Sequence, residues 1–266
     1  PNHSLGEIDR VPVSGGAPEV VVRTEGTAMF PAPTPDGRAL IYAGDHGGQG
    51  LNIWWRPLDG SPERRLTTGA GEFTEPFISR DGHHVVMLAR RRRGSLVRVG
   101  VDDGAKSALQ AVGDGDADPS IAPATGRIFV TSRRSGQRKI WSLAPDGTNA
   151  TPLTSGTDDD RRPSVSRDGR QVAFVSNRQG RRGIWVVSAD GGTPRAIVQA
   201  EVIDSVTWSP DGRRVLYAAP GKDAVSLWAA DVETGAVVSV PATNARVPAW
   251  SPVNDEIAYV SLIDTK

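Results

Sequence analysis

The 266-residue sequence has no cysteine, no long apolar run, only 4 histidines and no excess of either charge. Without cysteine there is no disulfide, thiol nucleophile or thiolate metal site, which fits the cytosol or an exported protein that folds without covalent staples. No apolar stretch approaches the roughly 18 residues that a membrane-spanning helix needs. Lys+Arg 31 against Asp+Glu 31 leaves a formal charge of +0. The net basic field of a nucleic-acid binder is therefore missing. The run "RRRRG" at 90–94 has no aromatic residues interleaved for base stacking, so no nucleic-acid partner is expected. Glycine clusters such as "GGQG" at 47–50 precede no helical pattern, which a phosphate loop requires. The nucleophile elbow G-x-S-x-G is absent as well. Among the histidines, His83 and His84 are adjacent and would point to opposite faces of a strand, which does not suit one shared metal. "PNHSLGEIDR" at 1–10 carries no signal-peptide pattern, as expected of a mature form or an excised domain.

What is present is a phrase that repeats. Hydrophobic residues at 38% and charged residues at 23% indicate a packed core, and Gly 30 with Pro 20 indicates many tight turns. "VTWSPDGRRVLYAA" at 206–219 is echoed by "PSVSRDGRQVAFVS" at 163–176 and "EPFISRDGHHVVMLA" at 75–89. Anchors at Pro31, Pro76, Pro119, Pro163, Val206 and Pro248 are 42 to 45 residues apart. After each comes a turn signal, four times Asp-Gly, then a β-prone run such as "QVAFVS". A second pulse follows in most units, as in "KIWSLAPDG" at 139–147 and "GIWVVSADGG" at 183–192, and a short closing strand ends several of them. Four short strands in roughly 43 residues, with no helical period, is the sequence form of a propeller blade.

Five units are whole and the sixth stops after "DEIAYVSL", two strands short. The complement lies at the other end, where "GEIDRVPVSGGAPEVVV" at 6–22 matches a third and fourth strand. Joining the two halves removes two unpaired sheet edges. The expected fold is all-β: a six-bladed β-propeller with four antiparallel strands per blade, the last blade closed by the N-terminal strands. It should form one domain over 1–266, with blades near 28–70, 71–114, 115–157, 158–200, 201–243 and 244–266 plus 3–24. Trp141, Trp185 and Trp228 recur at the third strand, where a large ring covers a seam between sheets, and Trp54 or Trp55 takes that place in the first unit. Trp208 should pack between blades.

The repeat resembles the WD-like propeller repeat of the TolB family of bacterial envelope proteins. The residues that carry the resemblance are P-x-W-S-P-x-x-x-x-I-A-Y at 248–259, "SPDG" at 209–212, S-N-R-x-G at 176–180 and I-W-x-x-x-x-D-G-G at 184–192. It covers essentially the whole chain, leaving no residues for the additional N-terminal domain that TolB carries. The resemblance implies binding through the top face and central channel, and a periplasmic or other extracytoplasmic setting. The expected role is a noncatalytic binding, scaffold or sensor module, alone or as part of a larger polypeptide, for a protein, a peptide or a small polar ligand. The alternative is an enzyme, a lyase or hydrolase, with its site at the channel mouth.

Propeller topology places the inter-unit loops on one rim and the Asp-Gly turns on the other. Residues next to the anchors should line the mouth, which makes Phe30, Glu75, Asp118, Arg161, Arg162, Asp204 and Arg246 the candidate binding residues, with Ser205 and Val247 at equivalent places. Acidic residues of these loops, among them Asp158, Asp159 and Asp160, would form an inner ring within a basic collar that includes Arg134, Arg138 and Arg178. "DGDAD" at 114–118 sets Asp114, Asp116 and Asp118 at alternate positions, like the start of a calcium loop, but Thr125 stands where its twelfth-position glutamate belongs. Ca2+ is thus the ion to consider, and no other cofactor is expected.

Overall fold

The computed structural model describes residues 5–46, 50–67, 72–91, 93–109, 116–200, 206–222 and 224–261. Chain order begins with β1 (Leu5–Pro12) and β2 (Glu19–Glu25). The first complete blade is β3 (Ala28–Pro33), β4 (Ala39–Gly44), β5 (Asn52–Pro57) and β6 (Arg64–Arg65). The second is β7 (Glu72–Ile78), β8 (His84–Arg91), β9 (Arg93–Gly100) and β10 (Lys106–Ala108). The third is β11 (Ala117–Ile121), β12 (Ile128–Ser135), β13 (Gln137–Leu143) and β14 (Thr151–Pro152). The fourth is β15 (Asp160–Val165), β16 (Gln171–Ser176), β17 (Gly183–Ser188) and β18 (Arg195–Val198). The fifth is β19 (Val206–Trp208), β20 (Arg214–Pro220), β21 (Val225–Asp231) and β22 (Val237–Thr243). Finally β23 (Ala245–Trp250) and β24 (Glu256–Ser261) join the two first strands in the order β2-β1-β24-β23. The result is a six-bladed, all-β propeller of four-stranded antiparallel sheets. One 3-10 turn at Arg178–Gly180 is the only helical element among the described residues, and no helix there is long and apolar enough to cross a membrane.

The second strand of each blade lies between two neighbouring sheets, so both its faces must be apolar. Accordingly Ala39–Gly44 is buried throughout, as are Val172–Val175 and Val215–Ala218. A buried cluster fills each seam between neighbouring blades. Trp141, Trp185 and Trp228 each cover the seam toward the preceding blade, and Trp54, not Trp55, holds the corresponding place in the first. Trp208 is buried between the fourth and fifth blades, where its Nε1 donates to the Ser164 carbonyl at 2.8 Å.

In four blades the first hairpin turns on Ser/Thr-x-Asp-Gly. In Thr34-Pro35-Asp36-Gly37 the Thr34 hydroxyl donates to Asp36 Oδ1 at 2.6 Å, and that oxygen also accepts from the Arg38 N–H at 3.0 Å. Gly37 sits at φ 69°, which is why glycine closes the phrase. These hydrogen bonds, the Thr34 one first, hold the Asp36 carboxyl below its usual value.

Closure pairs β1 with β24 from Glu7↔Ser261 to Pro12↔Glu256. Ile8, Val11 and Val22 thereby enter the two seams that flank the last blade. At about 1.5–3 kcal/mol per buried aliphatic side chain, these three account for roughly 5–9 kcal/mol, comparable with the whole stability of a typical domain. Removal of residues 1–23 is therefore expected to abolish cooperative thermal unfolding; equal melting temperatures for the full and shortened chains would contradict it.

The closing strand also carries a strained charge. Asp9 is buried beside buried Glu7, which pairs with Arg23 at 3.1 Å. Burial first, and then Glu7, raise the Asp9 carboxyl to about 6. A folded-state value above the unfolded one means that its contribution is fully present below about pH 4 and is lost as pH rises through 6. From 3.8 to about 6 corresponds to roughly 3 kcal/mol. Asp9→Asn should thus be the more stable protein at pH 8, by up to that amount, with the gain vanishing near pH 4. Urea unfolding at both pH values checks this, and equal stability at pH 8 would refute it.

A candidate binding channel along the ring axis

The innermost strands leave one backbone edge each facing the axis, and the sequence places prolines there. Proline cannot donate to a ladder and is tolerated on an edge or at a bulge. Here it is both: the pairing of β3, β7, β11, β15 and β23 with the next strand shifts register around the anchor proline, as between Met29 and Ala32 or between Arg161 and Ser164. The residue before each proline takes up the bulge in the left-handed region. Phe30 has φ 55°, Glu75 55°, Asp118 50°, Arg162 55° and Val247 47°. None of these is glycine, and such conformations cost about 1–3 kcal/mol each. The bulge re-aims all five side chains into one cavity.

That cavity has a volume of about 300 Å³ and follows the innermost strands from end to end. Below the left-handed residues come Pro31, Pro76, Pro163 and Pro248 with Val206, then Ala32, Phe77, Ser164, Thr207 and Ala249. Pro33, Ile78 and Trp250 follow, and Pro35, Arg80, Pro123, Arg167 and Pro252 stand at the Asp-Gly end. The walls are apolar and the charges lie at the two ends.

At the mouth a chain of hydrogen bonds runs across three blades. The Arg162 N–H donates to Thr131 Oγ1 at 2.9 Å, the Thr131 hydroxyl donates to Asp118 Oδ2 at 2.7 Å, and the Asp118 N–H donates to Glu75 Oε2 at 2.8 Å. Glu75 thus ties the second blade to the third, and Thr131, held by Asp118, ties the third to the fourth.

Of the candidates from the sequence, Phe30, Glu75, Asp118 and Arg162 line the cavity, with Val247 beside them. Arg161 and Arg246 do not. Arg161 is half-buried, and its guanidinium is held below its ordinary value by burial first and then by Arg182, Arg162 and Arg138. Arg246 has a buried Nε without a hydrogen-bond partner. Asp204, Ser205 and Asp114 lie outside the described residues. Asp116 and Asp118 are engaged separately, Asp116 by Arg134 at 2.6 Å and Asp118 by Thr131. No group of three or more metal-ligating side chains occurs among the described residues.

Among the described residues, the acidic ring and basic collar do not form as separate fields. Arginines from the second and third strands, and from the turn between them, fold over the inter-blade segments and pair with their carboxylates. Arg138 grips Asp159 with two bonds of 2.7 Å, while Arg178 Nη2 reaches Asp160 at 2.7 Å. Asp160 is wholly buried, accepts from Ser176 at 2.6 Å and pairs with buried Lys139 at 3.3 Å. Asp116 with Arg134 repeats the arrangement one blade earlier.

Two groups of residues were not singled out from the sequence. One is Arg80 with Arg167, whose only signal was arginine in place of proline within the hairpin phrase. The other is on the seam of the first blade, where the buried Tyr42 hydroxyl donates to Glu63 Oε2 at 2.9 Å and lies 2.7 Å from His46 Nε2, with His46 stacked on Trp54 at 3.9 Å. Burial, then Glu63, push the Tyr42 hydroxyl well above its ordinary value. No linear spacing announces that cluster.

The left-handed positions give a paired test. Val247 is β-branched and disfavoured at φ 47°, so Val247→Gly should raise stability by about 1 kcal/mol. Asp118→Gly should lower it instead, because Thr131 loses its acceptor. Urea unfolding that shows both changes destabilising by the same amount would remove backbone strain from the account.

A family model described as the TolB beta propeller domain matches residues 10–202. Among solved structures, putative TolB from Agrobacterium tumefaciens aligns with a TM-score of 0.85 at 22% identity, over 98% of this chain and 100% of that one. TolB from Acinetobacter baumannii aligns with a TM-score of 0.82 at 19% identity, over 92% of this chain and 66% of that one. An oligogalacturonate lyase in complex with manganese aligns with a TM-score of 0.65 at 16% identity, over 93% of this chain and 80% of that one. At these identities the likeness is one of fold. No curated protein matches the sequence.

Proposed function

The chain belongs to the TolB beta propeller domain family, and from that premise we propose that it is a noncatalytic binding module that takes a protein segment, a peptide or a small polar ligand at the mouth of its central channel. The observation that carries this reading is the set of five left-handed, non-glycine residues at the mouth. The bulge that they take up protects the innermost edge, and it also directs dissimilar side chains toward one cavity. Phenylalanine, glutamate, aspartate, arginine and valine around one opening suit an asymmetric partner better than a symmetric ion. The hydrogen bonds through Thr131 keep the mouth preorganised, which reduces the entropy cost of binding. Family membership favours an extracytoplasmic setting for this partner.

The lyase among the structural relatives keeps an enzymatic reading in view, with its site in the same channel. Against it, none of the described histidines, His46, His83 and His84, lines the cavity.

The test starts with a partner recovered by affinity capture, identified, and titrated against purified variants. Arg162→Glu reverses a mouth charge while leaving its backbone N–H in place. Its affinity should fall at least tenfold, about 1.4 kcal/mol, with the loss shrinking as salt screens the charge. Glu233→Lys, on an exposed outer turn, should bind like the parent protein. Equal affinities for Arg162→Glu and the parent would place the binding surface elsewhere.

A further inference from the structure

The other end of the channel carries two arginines that the turns do not require. The second position of each hairpin phrase reads Pro35, Arg80, Pro123, Arg167, Pro210 and Pro252 around the ring, and all but Pro210 line the axial cavity. Proline suits that position because its fixed φ matches the first central residue of the turn. The second and fourth blades close the same turn without it: Gly82 N–H bonds the Ser79 carbonyl and Gly169 N–H the Ser166 carbonyl, both at 2.9 Å.

Both arginines line the axial cavity, and both also line an adjoining recess of about 360 Å³ on the outer side of the turns. Two side chains that border the same two cavities flank one passage. Neither makes a hydrogen bond or an ion pair with any described residue. Arg127, Arg134, Arg138 and Arg178, by contrast, all do. The recess also holds Asp168 and Asp211, but each gives its Oδ1 to its own turn, to Ser166 and Arg170 in one case and to Ser209 and Arg213 in the other. Just inside the channel the walls are apolar, formed by Phe77, Ile78, Pro33 and Trp250. Five residues of extended chain separate this end from the mouth, roughly 16 Å.

We propose that the turn-side end of the channel is a second binding site, for a small amphipathic organic anion. Its oxyanion head, a carboxylate or a phosphate, lies between Arg80 and Arg167, and its apolar tail runs into the channel. Guanidinium groups match planar and tetrahedral oxyanions through paired N–H donors. A cavity of about 300 Å³ stands at the small end of the range for small-molecule sites. This site does not depend on the mouth being used.

Calorimetric titration of the whole chain with octanoate, octyl phosphate, octanol and octyltrimethylammonium tests the proposal. Octanoate or octyl phosphate should bind one to one and at least tenfold more tightly than octanol, and the cation should bind no better than octanol. The double variant Arg80→Gln with Arg167→Gln should lose at least tenfold in affinity for the anion and keep that for octanol. Arg162→Glu should change anion affinity by less than twofold. Anions that bind no better than octanol to the parent protein overturn the site, and this comparison needs no variant to fold. Retained anion affinity in the folded double variant overturns it too. Loss with Arg162→Glu alone would move the anion to the mouth, sparing the proposed function and refuting this site.

Discussion

Six innermost strands converge on an axis with one backbone edge each unpaired, and the local chemistry of the protein follows from making that edge tolerable. A free edge invites another strand. Proline at the edge removes a donor, and the bulge around it turns the remaining backbone out of ladder geometry. The extra length is taken up by one residue in the left-handed region, and that residue can only point inward. Protection of the edge and construction of the channel are thus one operation. Side chains are free to differ at these five positions because the bulge, not the residue type, sets their direction.

Outside the axis, the blades are fastened by two kinds of contact with different reach. Apolar clusters fill every seam and act without direction. Directional polar links then fix the blades in rotation. Arg64 donates to the Val101 carbonyl at 2.9 Å, Arg127 to the Ala189 carbonyl at 2.8 Å and Arg195 to the Val232 carbonyl at 2.7 Å, each crossing to the next blade. Guanidinium groups stay charged across the accessible pH range. The buried carboxylates Asp116 and Asp160 serve the opposite rim, bound to arginine and, for Asp160, also to lysine and serine.

Architecture was legible because it is repeated: the Asp-Gly turns and the third-strand tryptophans each mark four blades, the apolar second strands recur with the same period, and the half units at the two ends complement each other. Turn geometry and seam packing are local or nearest-neighbour properties, which a repeat displays. The mouth was legible in position, since Phe30, Glu75, Asp118 and Arg162 follow from counting back from the proline. Their left-handed conformation was not, because those residue types rarely adopt it and give no sign of it. The charge pattern misled for a related reason. Asp159 and Arg138 are 21 residues apart and belong to different blades, so loop composition alone read as separated fields what side-chain reach brings together as a pair.

The pairing of β1 with β24 also sets a schedule. During synthesis β1 and β2 emerge first, and their partners β23 and β24 last. At about 5–20 residues per second, the interval from Glu25 to Ala245 lasts roughly 10 to 45 seconds. Over that time the β1 edge, with Ile8 and Val11 on its two faces, has no native partner on the chain. A copy further along on the same messenger, its β24 already made, would offer that strand in the same register. Crowded translation of this chain therefore favours exchange of the closing strands between copies, whereas widely spaced ribosomes favour closure within one.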